Sequence, residues 1–169
     1  PGATVPFGMV KVGPDTANDD EVPFFNNNNS GYHADDPYAL GFSQTHLHGV
    51  GLPDLGNVIF LPTVGPMTDT RRPSRRFRSP MDKSTEVATP GYYSVTLPEA
   101  DVQVELTATT RTAYHRYSFG PSGADAPKLV VIDLAHALPG GSTLDGAIDV
   151  HPDTGEVSGW MKSEGLFSV

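Results

Sequence analysis

From Gly91 onward apolar and polar residues alternate with a period of two, and no other feature constrains the fold of this chain so tightly. Tyr93, Val95 and Leu97 fall on one face, Pro98-Glu99-Ala100-Asp101 reads as a turn, and Val102, Val104, Leu106 and Ala108 form the next apolar face. Thr112 to Phe119 is a third strand, with Tyr114, Arg116 and Ser118 opposite Ala113, His115, Tyr117 and Phe119. Successive side chains point to opposite sides only in extended backbone, so this pattern buries one face of a sheet and solvates the other. Lys128 to Leu134 follows as a strand with an apolar centre. Asp145 to His151 and Glu156 to Met161 then pair as a hairpin about Asp153-Thr154-Gly155. Short strands separated by turn signals predict an all-β chain, an antiparallel β-sandwich. No segment sustains a helical period.

Upstream the pattern is looser. Val5 to Val12 reads as a strand with Pro6 and Gly8 marking an edge or bulge. Pro14-Asp15-Thr16 is expected to turn into an acidic segment ending at Glu21, and residues 26–29, four consecutive asparagines, read as a solvated loop. Val58-Ile59-Phe60-Leu61 is a buried strand closed by a Pro-Thr-Val-Gly-Pro turn. With 18 glycines and 16 prolines in 169 residues, the composition favours repeated turns over long helices. One domain, residues 1–169, is expected, incomplete at both ends because the chain opens on Pro1-Gly2 and stops at Phe167-Ser168-Val169 in strand-like sequence.

A net charge of −9 argues against nucleic acid and against an anionic membrane surface as partners. Residues 71–78 hold five of the eleven basic residues, but without interleaved aromatics for base stacking they read as an exposed arm. The absence of cysteine removes disulfides, thiolate chemistry and cysteine-ligated zinc. No apolar run reaches the length of a membrane span, and no signal segment is recognisable.

The groups able to do chemistry gather between residues 30 and 57. His33, His46 and His48, three of the six histidines, lie there with Asp35, Asp36 and Asp54 and five glycines. Clustered imidazoles and carboxylates are costly to bury without partners, and glycine permits positive-φ turns, so a polar site built on turns is expected. On a strand, His46-Leu47-His48 would send both imidazoles to one side. That spacing suits zinc, iron or manganese, with His33 or Asp54 completing the set, as in a small metal-dependent β-barrel enzyme. The same groups with Tyr32 and Tyr38 also suit a sugar, whose paired hydroxyls are satisfied by imidazoles and carboxylates and whose apolar face meets aromatics. Against both stands a structural role, with His46 and Asp54 bonding loop backbone. His115, His136 and Trp160 are expected in the core. No Ser/His/Asp order, phosphate-binding loop or nucleophile elbow is present.

An ordered set of motifs then carries a resemblance. It runs from Pro1-Gly2-Ala3-Thr4-Val5-Pro6-Phe7-Gly8-Met9-Val10 through Pro14-Asp15-Thr16, Ser30-Gly31-Tyr32-His33 and Gly41-Phe42-Ser43-Gln44-Thr45-His46-Leu47. It continues through Asp54-Leu55-Gly56-Asn57, Pro90-Gly91-Tyr92-Tyr93-Ser94-Val95, Glu105 to Thr109 and His115-Arg116-Tyr117. Together these resemble the N-terminal region of glycoside hydrolase family 92, the bacterial exo-acting α-mannosidases. The chain departs from that pattern at Gln44, where the family usually has a second histidine, at His48, often serine, and at asparagines 26–29, where many members place tryptophans.

The resemblance implies a β-sandwich that packs on a helical catalytic domain within the same polypeptide. It implies an enzyme that releases terminal mannose from α-mannosides, α-1,2-linked ones foremost, in glycans such as N-glycans. Hydrolysis would proceed with inversion, through two carboxyls roughly 6.5–9.5 Å apart. Catalytic residues and a calcium ion would belong to the helical domain, leaving none expected in these residues, and the enzyme would be secreted or periplasmic. His33, Asp35, His46, His48 and Asp54 are then the residues expected at the sugar-facing rim or domain interface. A stand-alone carbohydrate-binding sandwich is the alternative without a catalytic partner.

Overall fold

The computed structural model describes residues 2–18, 28–49, 51–67, 77–122 and 125–166; Asn26 and Asn27, the acidic segment past Asn18 and most of the basic run at 71–78 lie outside them. The described residues form β1 (Ala3–Thr4), β2 (Lys11–Ala17), β3 (Tyr38–Ser43), β4 (Ile59–Val64), β5 (Ser79–Pro80) and β6 (Asp82–Thr89). They continue with β7 (Tyr92–Leu97), β8 (Val102–Ala108), β9 (Ala113–Phe119), β10 (Lys128–Asp133), β11 (Ser142–His151) and β12 (Glu156–Glu164). One sheet runs β1-β2-β3-β4-β10 with β5 also on β3, a second is the meander β6-β7-β8-β9, and β11-β12 is a separate hairpin.

The alternating residues do what their period demands. Tyr93, Val95 and Leu97 of β7 and Val102, Val104, Leu106 and Ala108 of β8 turn inward against Ala3, Val12, Ala39, Phe42 and Leu61 of the first sheet. Antiparallel register keeps these residues in rows, Val95 opposite Val104 and Val104 opposite Tyr117. The rings of Phe42 and Tyr93 meet between the layers at 6.4 Å between centroids. Each such side chain withdrawn from water contributes roughly 1.5–3 kcal/mol, so this seam holds the sandwich together.

Several upstream elements differ from expectation. The strand expected over Val5–Val12 is split, because Val5 to Gly8 form a turn closed by Gly8 N–H on the Val5 carbonyl at 3.0 Å. Extended structure resumes at Lys11 and continues through Pro14-Asp15-Thr16. Pairing of β1 with β2 stops at Val12, so the N–H that Pro14 lacks is not called on by that neighbour. Strand β3 falls inside the stretch read as turns. A bulge sets Asp15 opposite Gly41 but Thr16 opposite Ala39, leaving Leu40 as the extra residue. Ala39 and Phe42, three apart, therefore share the core face, which breaks the period-two signal. Strand β4 likewise continues through Pro62 to Val64. Strand β6 is polar and largely exposed, so no apolar alternation marks it in the sequence, and its register with β7 is irregular. Trp160, expected in the core, is 55% exposed on the hairpin, opposite Ala147.

Candidate functional site

Val12 faces the core, and Asp15, of opposite parity on β2, faces away from it. That outer face is covered by three loop segments, 28–36, 44–57 and 134–141, and Asp15 is 1% exposed beneath them. Its Oδ1 accepts from His46 Nε2 at 2.6 Å and its Oδ2 from His136 Nε2 at 2.7 Å. His46 Nδ1 donates to the Lys11 carbonyl at 2.6 Å, and the Ser43 hydroxyl lies 2.9 Å from Nε2. A carbonyl can only accept, so Nδ1 carries hydrogen; a carboxylate at Nε2 requires a second. These two acceptors suit a doubly protonated imidazole at His46. Burial by itself would raise the Asp15 pKa, but the His46 charge and the hydrogen bonds from His136 and His46 outweigh it and hold Asp15 well below the usual carboxylate range. Burial would likewise lower His46, and the Asp15 charge, its hydrogen bond and the Lys11 carbonyl raise it instead.

The loops are fastened to the same strand. Thr16 N–H donates to the Gly31 carbonyl at 2.7 Å, and His33 N–H donates to Thr16 Oγ1 at 2.9 Å. Thr16 Oγ1 in turn donates to Asp36 Oδ2 at 2.7 Å, and the Asn28 amide donates to the same oxygen. Ser30 Oγ donates to the Leu47 carbonyl at 2.7 Å, joining loop 28–36 to loop 44–57. The His48 ring stacks on His46, 5.5 Å between centroids and 11° from parallel. Desolvation against that neighbour, then the His46 charge, hold His48 down at about 4, so it is a neutral imidazole at physiological pH.

The structure divides the sequence-derived candidates. His48 and Asp35 are exposed and His33 is partly so; Asp35 is 93% exposed in its side chain, with its N–H directed to His33 Nδ1 at 3.3 Å. His46 and Asp54 are each 2% exposed and do not lie on a rim. Asp54 Oδ1 accepts the Leu55 N–H at 2.7 Å, and Gly141 and Gly165 leave room for its carboxylate. Leu55 bridges His46 and also accepts the Leu138 N–H at 2.9 Å, so Asp54 and His46 buckle loop 44–57 onto segment 134–141. These two, expected at the sugar-facing rim or domain interface, are instead drawn inside: His46 by Asp15 and the Lys11 carbonyl of β2, Asp54 by the N–H of the next residue in its own loop.

The spacing of His46 and His48 does bring their rings to one side, but not as ligands. Both His46 nitrogens are committed to oxygen acceptors, leaving no lone pair for a metal. Among the described residues no group of three or more His, Asp or Glu side chains could hold a metal ion. Asp15, with both oxygens taken by N–H donors, does not fit calcium either.

Other partnerships were not legible in sequence. Asp15 reads as a turn residue, and its partner His136 lies 121 positions away. Gln44, noted as a departure from the family pattern, donates its amide to His115 Nε2 at 3.0 Å, and His115 Nδ1 bonds the Tyr117 hydroxyl at 2.8 Å. Burial pushes His115 down to about 4, so it is neutral. Glu86 on β6 accepts from Tyr32 at 2.9 Å and Tyr93 at 2.7 Å, with Lys83 at 3.0 Å, and so pins loop 28–36 to the second sheet.

Residues 1–168 match the glycosyl hydrolase family 92 N-terminal domain. The chain belongs to this family. Among solved structures, this family 92 domain is similar to the family GH92 α-mannosidase from Bacteroides thetaiotaomicron, with 29% identity and a TM-score of 0.79 over 98% of this chain and 22% of that one. The complex of that enzyme with mannoimidazole gives 29% identity and a TM-score of 0.78, over 98% of this chain and 21% of that one. A family GH92 inverting mannosidase from Bacteroides thetaiotaomicron VPI-5482 is 28% identical, with a TM-score of 0.69 over 94% of this chain and 19% of that one. No curated protein matches the sequence. The family 92 chain therefore spans about a fifth of the length of the solved relatives it matches.

Proposed function

We propose that this family 92 sandwich forms the substrate-side wall of an α-mannosidase that releases terminal mannose from the α-mannosides of glycans, with α-1,2-linked mannose the first expectation. One observation carries the reading. His33, Asp35 and His48 present polar groups to solvent from two loops that Ser30 and Leu47 tie together above a single buried anchor. The solved relatives support mannose as the sugar, since one is described as an inverting mannosidase and another is held with mannoimidazole. A neutral His48 can accept from one sugar hydroxyl and donate to another, and Asp35 can accept from two, which positions a substrate without consuming a proton. His46 and Asp54 serve this function indirectly, by fixing the loop that carries His48.

The catalytic acid and base and the calcium ion are assigned to a helical domain of the same polypeptide, on which the sandwich packs. When bound there, calcium would hold sugar hydroxyls and favour ring distortion, while the chain described here orients the glycan. A secreted or periplasmic enzyme fits this substrate. The test is anomer-resolved NMR of mannose release from α-1,2-mannobiose by the full-length protein, with and without a calcium chelator. Inverted mannose released only with calcium, and none released by the isolated 169-residue chain, is the expected result. Hydrolysis by the isolated chain would refute the allocation of roles, and a full-length protein inert toward every α-mannoside would refute the activity.

A further inference from the structure

Asp15 is the most deeply buried carboxylate among the described residues, and the proposed reaction makes no direct use of it. Ionised groups in a dry interior are retained only when fully paired, and removing one partner leaves the other uncompensated. Here the pairing is complete. Each carboxylate oxygen meets one imidazole N–H, and the second His46 nitrogen meets the Lys11 carbonyl. Gly31 closes the space above Oδ1, where a Cβ would stand 2.0 Å away. The group therefore connects β2, the end of β3, loop 28–36 and segment 134–141 at one point. On its solvent side lies one further ring, His48, parallel to His46.

We propose that Asp15 is a positioning residue: by holding His46 doubly protonated between itself and the Lys11 carbonyl, it fixes His48 as a stacked, neutral, surface-facing imidazole beside loop 28–36. The charged and titratable groups acting on His46 and His48 are Asp15, His136, the positive charge of the chain's amino terminus and Lys11, with Ser43 as a neutral neighbour. An imidazolium repels a second positive charge, so a protonated His48 would be driven off the stack. The device keeps one orientation and one charge state at the surface. What this does for a sugar rests on the function proposed above; the state of His46 and its effect on His48 do not.

The measurement is histidine ring nitrogen NMR on the ring-labelled chain and its Asp15→Asn variant. In the unaltered protein at pH 8, one ring, assigned to His46 through a His46→Gln control, is expected with both nitrogens protonated, while His48 is neutral. Asp15→Asn should leave His46 singly protonated and move the His48 titration midpoint up from about 4 only part of the way back, because the burial that contributes most to the lowering stays in place. A singly protonated His46 in the unaltered protein, or an Asp15→Asn variant whose His46 and His48 signals do not move, overturns the proposal. If Asp15→Asn does not fold, the unaltered protein still decides it. Raising the pH until His46 loses its proton should shift the His48 signals in step, and independent titration overturns the idea. In full-length enzyme active on α-mannosides, Asp15→Asn is expected to raise KM several-fold with a smaller change in kcat. An equal loss in both would sink the positioning role, whereas an inert unaltered enzyme would count against the proposed activity and leave the NMR result to judge Asp15.

Discussion

Gly31 lies against the Asp15 carboxylate so closely that a Cβ on it would stand 2.0 Å from Oδ1 and 2.9 Å from His46 Nε2, and its φ of +84° suits only glycine well. Gly31→Ala must displace a buried ion pair and also hold an alanine in left-handed backbone. Overpacking costs roughly 1–3 kcal/mol and the left-handed conformation roughly 1–2. A loss of about 3 kcal/mol in urea denaturation of the chain is expected. A loss below about 1 kcal/mol would mean the carboxylate moves aside freely.

Acid should weaken the fold before the carboxylates titrate. His115 is held neutral, its pKa lowered from 6.5 to about 4 by burial. Below pH 6.5 the unfolded chain binds a proton that the folded chain refuses, so stability falls as pH drops from 6.5 to 4 and levels off beneath that. At about 1.4 kcal/mol per unit the loss approaches roughly 3 kcal/mol. His48 acts in the same direction but, being exposed, contributes less. His46 has the opposite sign: its raised pKa adds stability fully present below 6.5 and lost as pH rises through the folded value. Melting temperatures of the chain and of His115→Gln between pH 7 and pH 4 check this, the variant showing a shallower decline. Parallel curves would disprove it.

Glu86 should matter more than a polar edge-strand residue ordinarily does. Burial tends to raise its pKa, and hydrogen bonds from Tyr93, Lys83 and Tyr32 outweigh that and lower it. Glu86→Ala leaves the hydroxyl of buried Tyr93 without this acceptor, which costs about 1–3 kcal/mol, while Glu86→Gln retains an acceptor oxygen and should cost less. Chemical denaturation of both variants would show the difference. Equal losses would indicate that packing of the longer side chain, not the hydrogen bond, is what β6 supplies.

The two large aromatics Phe42 and Trp160 should respond very differently. Phe42 is 0% exposed between the sheets, so Phe42→Ala opens a cavity and is expected to cost about 3–5 kcal/mol. Trp160 is 55% exposed, and Trp160→Ala in the 169-residue chain should stay within about 0.5 kcal/mol. Thermal denaturation of the two variants side by side tests the assignment of the core. A large loss at Trp160 would place the hairpin within the cooperative unit of the sandwich.

Sequence alone settled three strands of the meander, β7 to β9. From Tyr92 to Phe119 each strand is regular, its partner is its neighbour in the chain, and inward residues follow a strict period, so local pattern and buried face coincide. The concentration of imidazoles and carboxylates between residues 30 and 57 was equally visible, because residue types can be counted without knowing where they point. Only the folded chain decided what those residues face. The bulge at Leu40 shifts the phase of β3, so Ala39 and Phe42 reach the core together. His46 and Asp54 are drawn inside, while His48, two residues from one of them, stays out. The partners of Asp15 come from 31 and 121 positions away, and no local periodicity encodes a contact between segments so far apart. Short-range order follows from the backbone's own repeat; the charge state of a buried histidine follows from whatever the rest of the chain brings to its two nitrogens.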